Sequence, residues 1–402
     1  MPLPVRPAHV SPDQVRPFPY LLGARTAADP FSFIADIHRG PALFWADRVI
    51  NGLDGAWVPR RDADIRAVWF DTEHFTSRGF PPWAGLLGES WYLVPTEVEP
   101  PEHTAFRTLL NPLFTPRRMA LLEEKIRRYA RDYILSFRSQ GSCEYMKDFA
   151  YAFPIKVFLE LMGLPQELAP EFLEWEHGLL HEPDIDRINA ATRKVNAYLR
   201  AQTDQRRAHP RDDLLTFAVQ AEVAGRTLSD DEVTGVCFNL FVGGLDTVST
   251  NMGLQTRHLA EHPEHQAILR GNPTVIPDAI EELLRAYSPI LNTRRCIKET
   301  RIAGQTIRQG EKIMLPAFLA GRDPEVYPQP GEVRFDRRAR HVTFGFGPHL
   351  CLGIHLARRE LRIAMEELLS LLPEFCIAPG AVIESYLAGT IQPVALPLVW
   401  KV

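Results

Sequence analysis

Apolar and polar positions follow helical spacing over most of the chain after residue 102, with apolar side chains recurring about every three to four residues. The stretch up to Pro41 is irregular and rich in proline, and helix-breaking residues divide the later part into separate segments. The pattern predicts helices over 102–114, 117–138, 150–162, 169–180, 186–208, 212–223, 229–259, 263–270, 277–287 and 354–371.

Shorter segments carry the turn residues and apolar content of β-strands. A hairpin is predicted from Leu43–Ile50 and Ala56–Val58, around a turn that contains Asn51-Gly52 and Asp54-Gly55. Short strands and loops are also predicted over 299–303, 306–308, 312–315 and 374–400, with turns at Ala303-Gly304 and Gln309-Gly310.

No internal repeat or long flexible linker interrupts these segments, so we predict one domain over residues 1–402. The fold class is mainly α, one large helical part with small β-sheets. The β-containing part is expected over roughly 40–70, 299–316 and 374–400, and the helical part over roughly 102–290 and 354–371.

Composition and charge favour a cytoplasmic globular protein. The chain has 45 Lys and Arg against 50 Asp and Glu, and a net charge of −5 gives no overall attraction to nucleic acid or anionic membrane. No apolar run is long enough to span a bilayer, and Met1-Pro2-Leu3-Pro4 lacks the charged start of a signal peptide. The 5 cysteines form no CxxC pair, which argues against a disulfide framework and a cysteine-rich zinc site.

The segment 76–101 reads as a loop with an unusual number of aromatic residues. Phe80, Trp83, Trp91 and Tyr92 stand there among glycines and prolines. A polar surface loop does not need them, so the loop either packs on the core or lines an apolar pocket.

Cys351 stands apart from the other cysteines because of its surroundings. Three glycines lie within the segment 345–353, which suits a backbone held against a large flat group, since side chains would obstruct the approach. The helix predicted to begin at Ile354 offers its unpaired N–H groups and positive end, which favour a thiolate. His349 is near but no third group completes a nucleophilic site, so an axial ligand of haem iron fits best.

The segment Phe344–Gly353 matches F-G-x-G-x-H-x-C-x-G at every fixed position, and this pattern resembles the haem-ligand signature of the cytochrome P450 monooxygenases. The resemblance covers nearly the whole chain, and Gly243–Val248 together with Ala395–Trp400 is similar to the bacterial camphor hydroxylase group. It implies the P450 fold, with haem b buried between the long central helix and the cysteine-ligand loop. Cys351 is then the iron ligand, and the resemblance places Phe344, Gly345 and Gly243 among the haem-binding residues.

Two adjacent glycines, Gly243 and Gly244, precede Asp246 and Thr247 inside an apolar helical run. Glycine in a helix costs about 1 kcal/mol against alanine, so a packing or functional reason is needed. A threonine here can return its hydroxyl to the Gly243 carbonyl and open the helix, and an acid can relay protons. Alone the motif favours helix–helix packing; with the cysteine loop it resembles the acid–alcohol pair of the family.

Two further motifs gain meaning only from the resemblance. Glu282 and Arg285 are three residues apart on one helix, and in this family such a pair is a buried structural ion pair. An arginine before the cysteine loop completes it, and Arg334 is the matching residue.

His103 and Arg107 share a helical face, and two cationic donors can bind a carboxylate. The family uses H-x-x-x-R at this place against a haem propionate. Arg294 and His349 match further propionate-binding positions, while Asn292 stands where relatives often carry Asp beside a propionate.

The resemblance also places the substrate pocket. Camphor hydroxylases carry a tyrosine at the position of Trp91, and this change favours another compact terpenoid or norisoprenoid ketone, such as an ionone. The expected substrate residues are Pro82, Trp83, Trp91, Leu93, Thr96, Asn239, Leu240, Val242, Gly243, Ile290, Leu291, Thr293 and the segment Ala388–Ile391, which includes Thr390.

Members of this group receive electrons from NADH through a flavoprotein reductase and a [2Fe–2S] ferredoxin, and the resemblance implies a monomer that uses O2 in this way. Docking of the ferredoxin is expected near Arg107 and Arg338. The arginines that could form this surface are Arg107, Arg117, Arg118, Arg337, Arg338, Arg340, Arg358 and Arg359.

Two alternatives remain beside the monooxygenase. A peroxide-driven haem-thiolate enzyme is disfavoured by Asp246 and Thr247, which such relatives often lack. A non-catalytic haem-binding sensor is disfavoured because the chain carries no output domain.

Overall fold

A computed structural model of the chain describes residues 6–20, 24–50, 54–80, 83–182, 184–387 and 389–402. The predicted turn at Asn51-Gly52 and the predicted pocket positions Pro82 and Ala388 lie outside these residues. In the described ranges no helix is both long and apolar enough to cross a bilayer.

The described chain is mostly helical, as predicted. The helices are α1 (Ile34–His38), α2 (Asp62–Phe70), α3 (Trp83–Leu87), α4 (Glu102–Leu110), α5 (Pro116–Ala120), α6 (Glu123–Arg138), α7 (Ala152–Met162), α8 (Ala169–Leu180), α9 (Ile185–Ala208), α10 (Leu214–Gln220), α11 (Asp230–Glu261), α12 (Pro263–Gly271), α13 (Ile276–Ala286), α14 (Ala317–Gly321) and α15 (Ile354–Leu371).

The strands are short and scattered along the chain. They are β1 (Ala24–Thr26), β2 (Leu43–Ile50), β3 (Asp54–Pro59), β4 (Phe75–Thr76), β5 (Ser142–Glu144), β6 (Glu222–Val223), β7 (Arg226–Thr227), β8 (Leu291–Cys296), β9 (Thr300–Ile302), β10 (Gln305–Ile307), β11 (Lys312–Pro316), β12 (Phe375–Ile377), β13 (Ser385–Leu387), β14 (Ile391–Pro393) and β15 (Pro397–Trp400).

The chain divides into two compact units. The first, here the sheet unit, comprises Met1–Ser77, Gly253–Cys351 and Cys376–Pro397, and the second, the helical unit, comprises Arg78–Met252, Leu352–Phe375 and Leu398–Val402. Each unit is assembled from separate stretches of sequence, and α11 contributes to both. One domain over residues 1–402 stays a prediction.

A five-stranded sheet with the order β2-β3-β11-β8-β4 forms the centre of the sheet unit. The pairs are antiparallel except β11 with β3, where Ile313 lies opposite Trp57. Both residues are almost fully buried, and the core on this sheet includes Trp45, Trp69 and Phe318. Apolar strand residues therefore anchor β8, which carries several predicted site residues.

Aromatic side chains fill the centre of the helical unit. Phe158 of α7 and Phe172 of α8 both pack on Phe241 of α11, with ring centroids 5.8 and 5.7 Å apart. Charged groups connect α6 to α15: Arg127 lies 2.7 Å from Glu366 and 2.6 Å from Glu367. The ring contacts with Phe241 hold α11 by its apolar face.

Two predicted elements were wrong in their local structure. The predicted helix 212–223 ends at Gln220, because Ala224 and Gly225 adopt φ of 52° and 78° and turn the chain from β6 into β7. Asp54-Gly55 belongs to β3 rather than to a turn. A Cβ at Gly55 would overlap the Trp45 indole ring, so the glycine there is required by cross-strand packing.

Candidate functional site

Cys351 closes a tight loop of the sheet unit. Its backbone N–H donates to the carbonyl of Phe344 at 2.8 Å, and the N–H of Gly345 donates to the carbonyl of Val342 at 2.8 Å. Gly345 has a φ of 76°, in the left-handed region that favours glycine. The cysteine is half-buried, is not part of a disulfide and stands three positions before the first residue of α15. Sequence and geometry thus agree on a constrained thiol ahead of a helix.

Gly347 is a second glycine of this loop in the left-handed region, and the space around it leaves no room for a side chain. Its φ is 69°, and a Cβ there would lie 3.1 Å from the Phe70 ring and 3.2 Å from the Phe70 Cα. The ring of the preceding residue, Phe346, packs on the Phe70 ring. The guanidinium carbon of Arg66 lies over the Phe346 ring, 4.9 Å from its centroid. The loop is therefore fixed against α2 from one side.

A buried ion-pair network in the sheet unit supports the chain that leads into this loop. Arg285 and Glu282 form two hydrogen bonds of 2.8 Å, and their side chains are 0% and 1% exposed. Arg285 also donates to the carbonyls of Gly321, Pro330 and Glu332. The pair therefore fastens α13 to the segment before the cysteine loop.

The predicted third member of this network was wrong. Arg337 donates to Glu282 at 3.0 Å with a side chain only 9% exposed. Arg334 contributes only its backbone N–H, at 2.9 Å from Glu282, while its guanidinium pairs with Asp336 at the surface. The sequence offered both arginines, and only the path of the chain through 332–337 separates them.

The sheet unit also holds two of the predicted propionate-binding residues and the predicted pocket residues of 290–293 and 389–391. Arg294 on β8 is buried and donates to the carbonyl of Thr293 at 3.1 Å, and His349 is half-buried in the cysteine loop. Ile290 and Thr390 form an isolated antiparallel bridge, and Thr390 is buried. Ile290 and Thr390 are thus brought together.

Thr247 in the helical unit makes the predicted bond to its own helix. Its hydroxyl donates to the Gly243 carbonyl at 3.3 Å. Gly243 is exposed although α11 is otherwise well buried around it, and a Cβ there would meet no heavy atom within 4 Å. Leu240 and Val242 nearby are half-buried. Around Gly243, α11 therefore has a face that other side chains do not cover. Beside it lies the Gly243 carbonyl, which accepts the hydrogen bond from Thr247.

Asp246 belongs to a buried cluster that sequence reasoning missed. His181 Nε2 lies 3.2 Å from Asp246 Oδ1 and 3.2 Å from Glu176 Oε1, and all three residues are buried. Burial opposes charging of the imidazole, but Asp246 and Glu176 outweigh it and raise the pKa of His181 to about 10. Burial also raises the pKa of Glu176, against the effect of His181. His181 therefore keeps its proton at neutral pH, next to the acid of the acid–alcohol pair.

On α4, His103 and Arg107 share one helical face as predicted. His103 is buried at 3% exposure and Arg107 is half-buried. An imidazole and a guanidinium one turn apart offer N–H donors to a single carboxylate.

The aromatic loop is held together by a buried acid. Glu97 accepts from the backbone N–H of Gly79 at 2.7 Å and from that of Leu93 at 2.8 Å. Burial raises the pKa of Glu97, and these two hydrogen bonds work against that increase. The loop also lies very close to α11. A Cβ on Gly235 of that helix would overlap the carbonyl oxygen of Tyr92 in the loop. Sequence analysis left open whether the loop packs on the core or lines a pocket, and it did not find this carboxylate.

The indole groups of this loop reach different partners. Trp91 is buried against Phe238 with ring centroids 5.0 Å apart, and its N–H donates to Glu89 at 2.5 Å. Glu89 also accepts from Arg200 at 2.7 Å. Trp83 Nε1 is buried, and no acceptor lies within hydrogen-bonding distance of it in the part of the chain that is described.

A polar pair lies beside these rings. The Thr96 hydroxyl donates to the Asn239 side-chain carbonyl at 2.8 Å, which joins the loop to α11. Thr96 is exposed and Asn239 half-buried, so the pair lies at the open face of the helical unit.

Comparison with known proteins decides the family. The model of the family "Cytochrome P450" matches residues 172–373. The chain is 39% identical over 381 residues to probable cytochrome P450 127A1 of Sinorhizobium fredii, covering 93% of this chain and 92% of that protein. The chain is a cytochrome P450.

Two other similar proteins refine this assignment. The crystal structure of cytochrome P450 CYP101C1 matches with a TM-score of 0.88 and 34% identity, over 99% of this P450 and 100% of that chain. Cytochrome P450-terp of Pseudomonas sp. is 29% identical over 386 residues, 86% of this chain and 90% of that protein. The P450 fold and the similarity to the camphor-like group are confirmed.

As a member of this family, the P450 is an oxidoreductase whose cofactor is haem b. The residues present fit that group. Gly243 and Gly353 each have open space where a Cβ would stand, and Cys351 presents a half-buried thiol. Carboxylates need cationic N–H donors, and the predicted donors for the two propionates are His103, Arg107, Arg294 and His349.

The eight arginines predicted for ferredoxin docking differ in their surroundings, and Arg107 and Arg358 are half-buried. Arg337 forms an ion pair with Glu282, and Arg359 forms one with Glu123. The exposed arginines are Arg117 and Arg118 in the helical unit and Arg338 and Arg340 in the sheet unit.

Proposed function

We propose that this P450 is a monooxygenase that hydroxylates a small apolar terpenoid or norisoprenoid ketone. It acts as a monomer and takes electrons from NADH through a flavoprotein reductase and a [2Fe–2S] ferredoxin. The single observation that carries the proposal is on α11, where the Thr247 hydroxyl donates to the Gly243 carbonyl next to the buried acid Asp246.

Each residue has a definite task in this proposal. A thiolate-ligated haem supplies the reductive activation of O2 and cleavage of its O–O bond. Cys351 supplies the thiolate, and the N–H groups around it together with the start of α15 favour its ionised form. The Thr247 hydroxyl holds water at the open face of Gly243, and Asp246 passes protons toward it.

The proton supply of Asp246 is this chain's own feature. The protonated imidazole of His181 faces Asp246 at 3.2 Å, and Glu176 stands on its other side at the same distance. The imidazolium of His181 compensates the Asp246 carboxylate, which would otherwise be left alone in a low-dielectric interior. This arrangement favours O2-dependent catalysis over a peroxide-driven reaction, which needs no delivered protons.

The test is a comparison of two hydroxyl deletions on α11. Thr247→Ala should keep consuming NADH in the reconstituted system but release more hydrogen peroxide and form less product. Ser249→Ala is the matched control, because Ser249 makes the same type of bond, to the Leu245 carbonyl at 3.0 Å, on a face that is 1% exposed. Unchanged coupling in Thr247→Ala, or equal losses in both variants, would remove Thr247 from proton delivery.

The substrate class follows from the side chains at the open face of the helical unit. Leu240 and Val242, which are half-buried, supply apolar surface, whose burial drives the binding of a compact hydrocarbon skeleton. Trp91 gives its N–H to Glu89 and so acts as a wall. We assign the carbonyl-binding role to Trp83, whose buried N–H has no acceptor among the described residues, with the Thr96–Asn239 pair as the second polar contact.

For electron transfer we propose that an acidic ferredoxin docks near Arg338 and Arg107. Arg338 and Arg340 are both exposed in the sheet unit, and cationic side chains on a protein of net charge −5 would steer an acidic partner. Arg338→Glu should slow the first reduction by ferredoxin in stopped flow at least several-fold, most strongly at low salt, and leave substrate binding intact. Arg193→Glu, an equal charge change on exposed α9, is the control; equal effects of both variants would refute a docking site at Arg338.

A further inference from the structure

Three histidines meet where α11 ends and α12 begins, within the sheet unit and away from every residue assigned above. His258 lies in the last turn of α11, His262 precedes α12 and His265 lies in its first turn. The His258 and His262 rings are 4.3 Å apart between centroids, and the His258 and His265 rings 5.0 Å. Glu264 stands between the last two histidines in sequence.

Hydrogen bonds orient the three rings, through both nitrogens of His258 and through Nδ1 of His262 and of His265. His258 Nδ1 lies 2.9 Å from the Tyr287 hydroxyl, and His258 Nε2 lies 2.7 Å from His265 Nδ1. His262 Nδ1 lies 3.0 Å from Glu264 Oε1. Metal-binding histidines in proteins are oriented in this way, with one ring nitrogen fixed by a neighbour and the other offered to the ion.

The spacing of the donor atoms suits a single ion. His262, Glu264 and His265 each place one ligand atom within 4.8 Å of the others. Zinc bonds of about 2.0–2.2 Å to imidazole nitrogen and carboxylate oxygen require only a small contraction of such a group. The side chains of His262 and Glu264 are 41% and 62% exposed, so an ion can enter from solvent, whereas His258 is buried behind them at 2%.

We propose that His262, Glu264 and His265 bind a divalent transition metal of the zinc class, with His258 and Tyr287 as positioning residues for His265. Two imidazoles and one carboxylate form the donor set of an open zinc site, with the fourth position left to water. A bound ion would fasten the end of α11 to the start of α12. This inference does not depend on the proposed monooxygenase activity.

The test is a calorimetric titration of ZnCl2 into tag-free, EDTA-treated and dialysed holoprotein. We expect one zinc per chain with a micromolar dissociation constant and an increase in melting temperature with zinc. Glu264→Gln and His262→Gln should each weaken binding about tenfold or more, since each removes one of three ligands. His209→Gln, a change at an exposed histidine outside the cluster, should leave binding unchanged.

Several outcomes would overturn the proposal. They are the absence of zinc binding at millimolar concentration, equal affinity in the wild type and in Glu264→Gln, and loss of binding in His209→Gln. Glu264 is exposed and on the surface of a short helix, so its variant is expected to fold even if His262→Gln does not. A thiolate absorption band that is unchanged by zinc separates this site from Cys351.

Discussion

At the scale of single residues, hydrogen-bond partners separate side chains that the sequence presents as equals. Trp83 and Trp91 both stand in the aromatic loop, yet only Trp91 reaches a carboxylate, Glu89. A buried N–H without a partner costs about 1–3 kcal/mol, and a ligand carbonyl that accepts from it recovers part of this cost. This difference is the reason that the proposed function assigns the ketone contact to Trp83 rather than to Trp91.

This role can be tested with one variant and two ligands. Trp83→Phe keeps an aromatic body but removes the N–H, so the affinity for a cyclic terpenoid ketone should fall about 3- to 10-fold. The affinity for the parent hydrocarbon of the same skeleton should stay nearly constant. Spin-state titration of both ligands measures this, and an equal loss for both, or no loss for the ketone, would contradict the assignment.

The site residues that sequence analysis located share a short, fixed spacing. Thr247 bonds to Gly243 four positions earlier, and His103 and Arg107 lie one helical turn apart. Residues that depend on the path of a loop were not found in this way. Arg337 and Arg334 are three positions apart, and the chain direction after Glu332 decides which guanidinium reaches Glu282. His181 carried no local signal, because its partners lie 5 and 65 positions away in sequence.

At the scale of elements, periodicity predicted helices better than strands. The bounds of α8 and α15 agree with the predicted segments, because each helix has a continuous apolar stripe packed on a neighbour. β8 was missed because Leu291–Cys296 contains two arginines and no simple alternation. Its strand form comes from pairing with β11 and β4, which are distant in sequence.

The contact between α11 and the aromatic loop gives a prediction at this scale. Gly235→Ala would place a methyl group into the Tyr92 carbonyl, so the loop must shift away from the helix. We expect a loss of roughly 1–3 kcal/mol in stability and weaker substrate binding. Gly244→Ala is the control: its Cβ would lie 3.7 Å from Phe158, so helix propensity should leave stability equal or improved. Thermal unfolding of both variants measures this; equal melting temperatures would contradict the close approach.

At the scale of the whole molecule, the predicted site residues are divided between the two compact units. Cys351, Arg294 and His349 belong to the sheet unit, and Asp246 and Thr247 belong to the helical unit. The family resemblance predicted these residues, whereas composition and charge predicted only a globular protein and the spacing of apolar residues a mainly helical one. The buried Glu282–Arg285–Arg337 network and the hydrogen bond that closes the loop at Phe344 hold Cys351 in the sheet unit.

The central claim is that Cys351 supplies the thiolate ligand of the haem iron. The most direct measurement is the absorption spectrum of the reduced, CO-bound, haem-loaded protein, with Cys351→Ser and the exposed-cysteine variant Cys376→Ser beside the wild type. We predict the long-wavelength Soret band of thiolate ligation in the wild type and in Cys376→Ser, and its loss in Cys351→Ser. A short-wavelength band in fresh wild-type protein, or a thiolate band that survives in Cys351→Ser, would contradict the account.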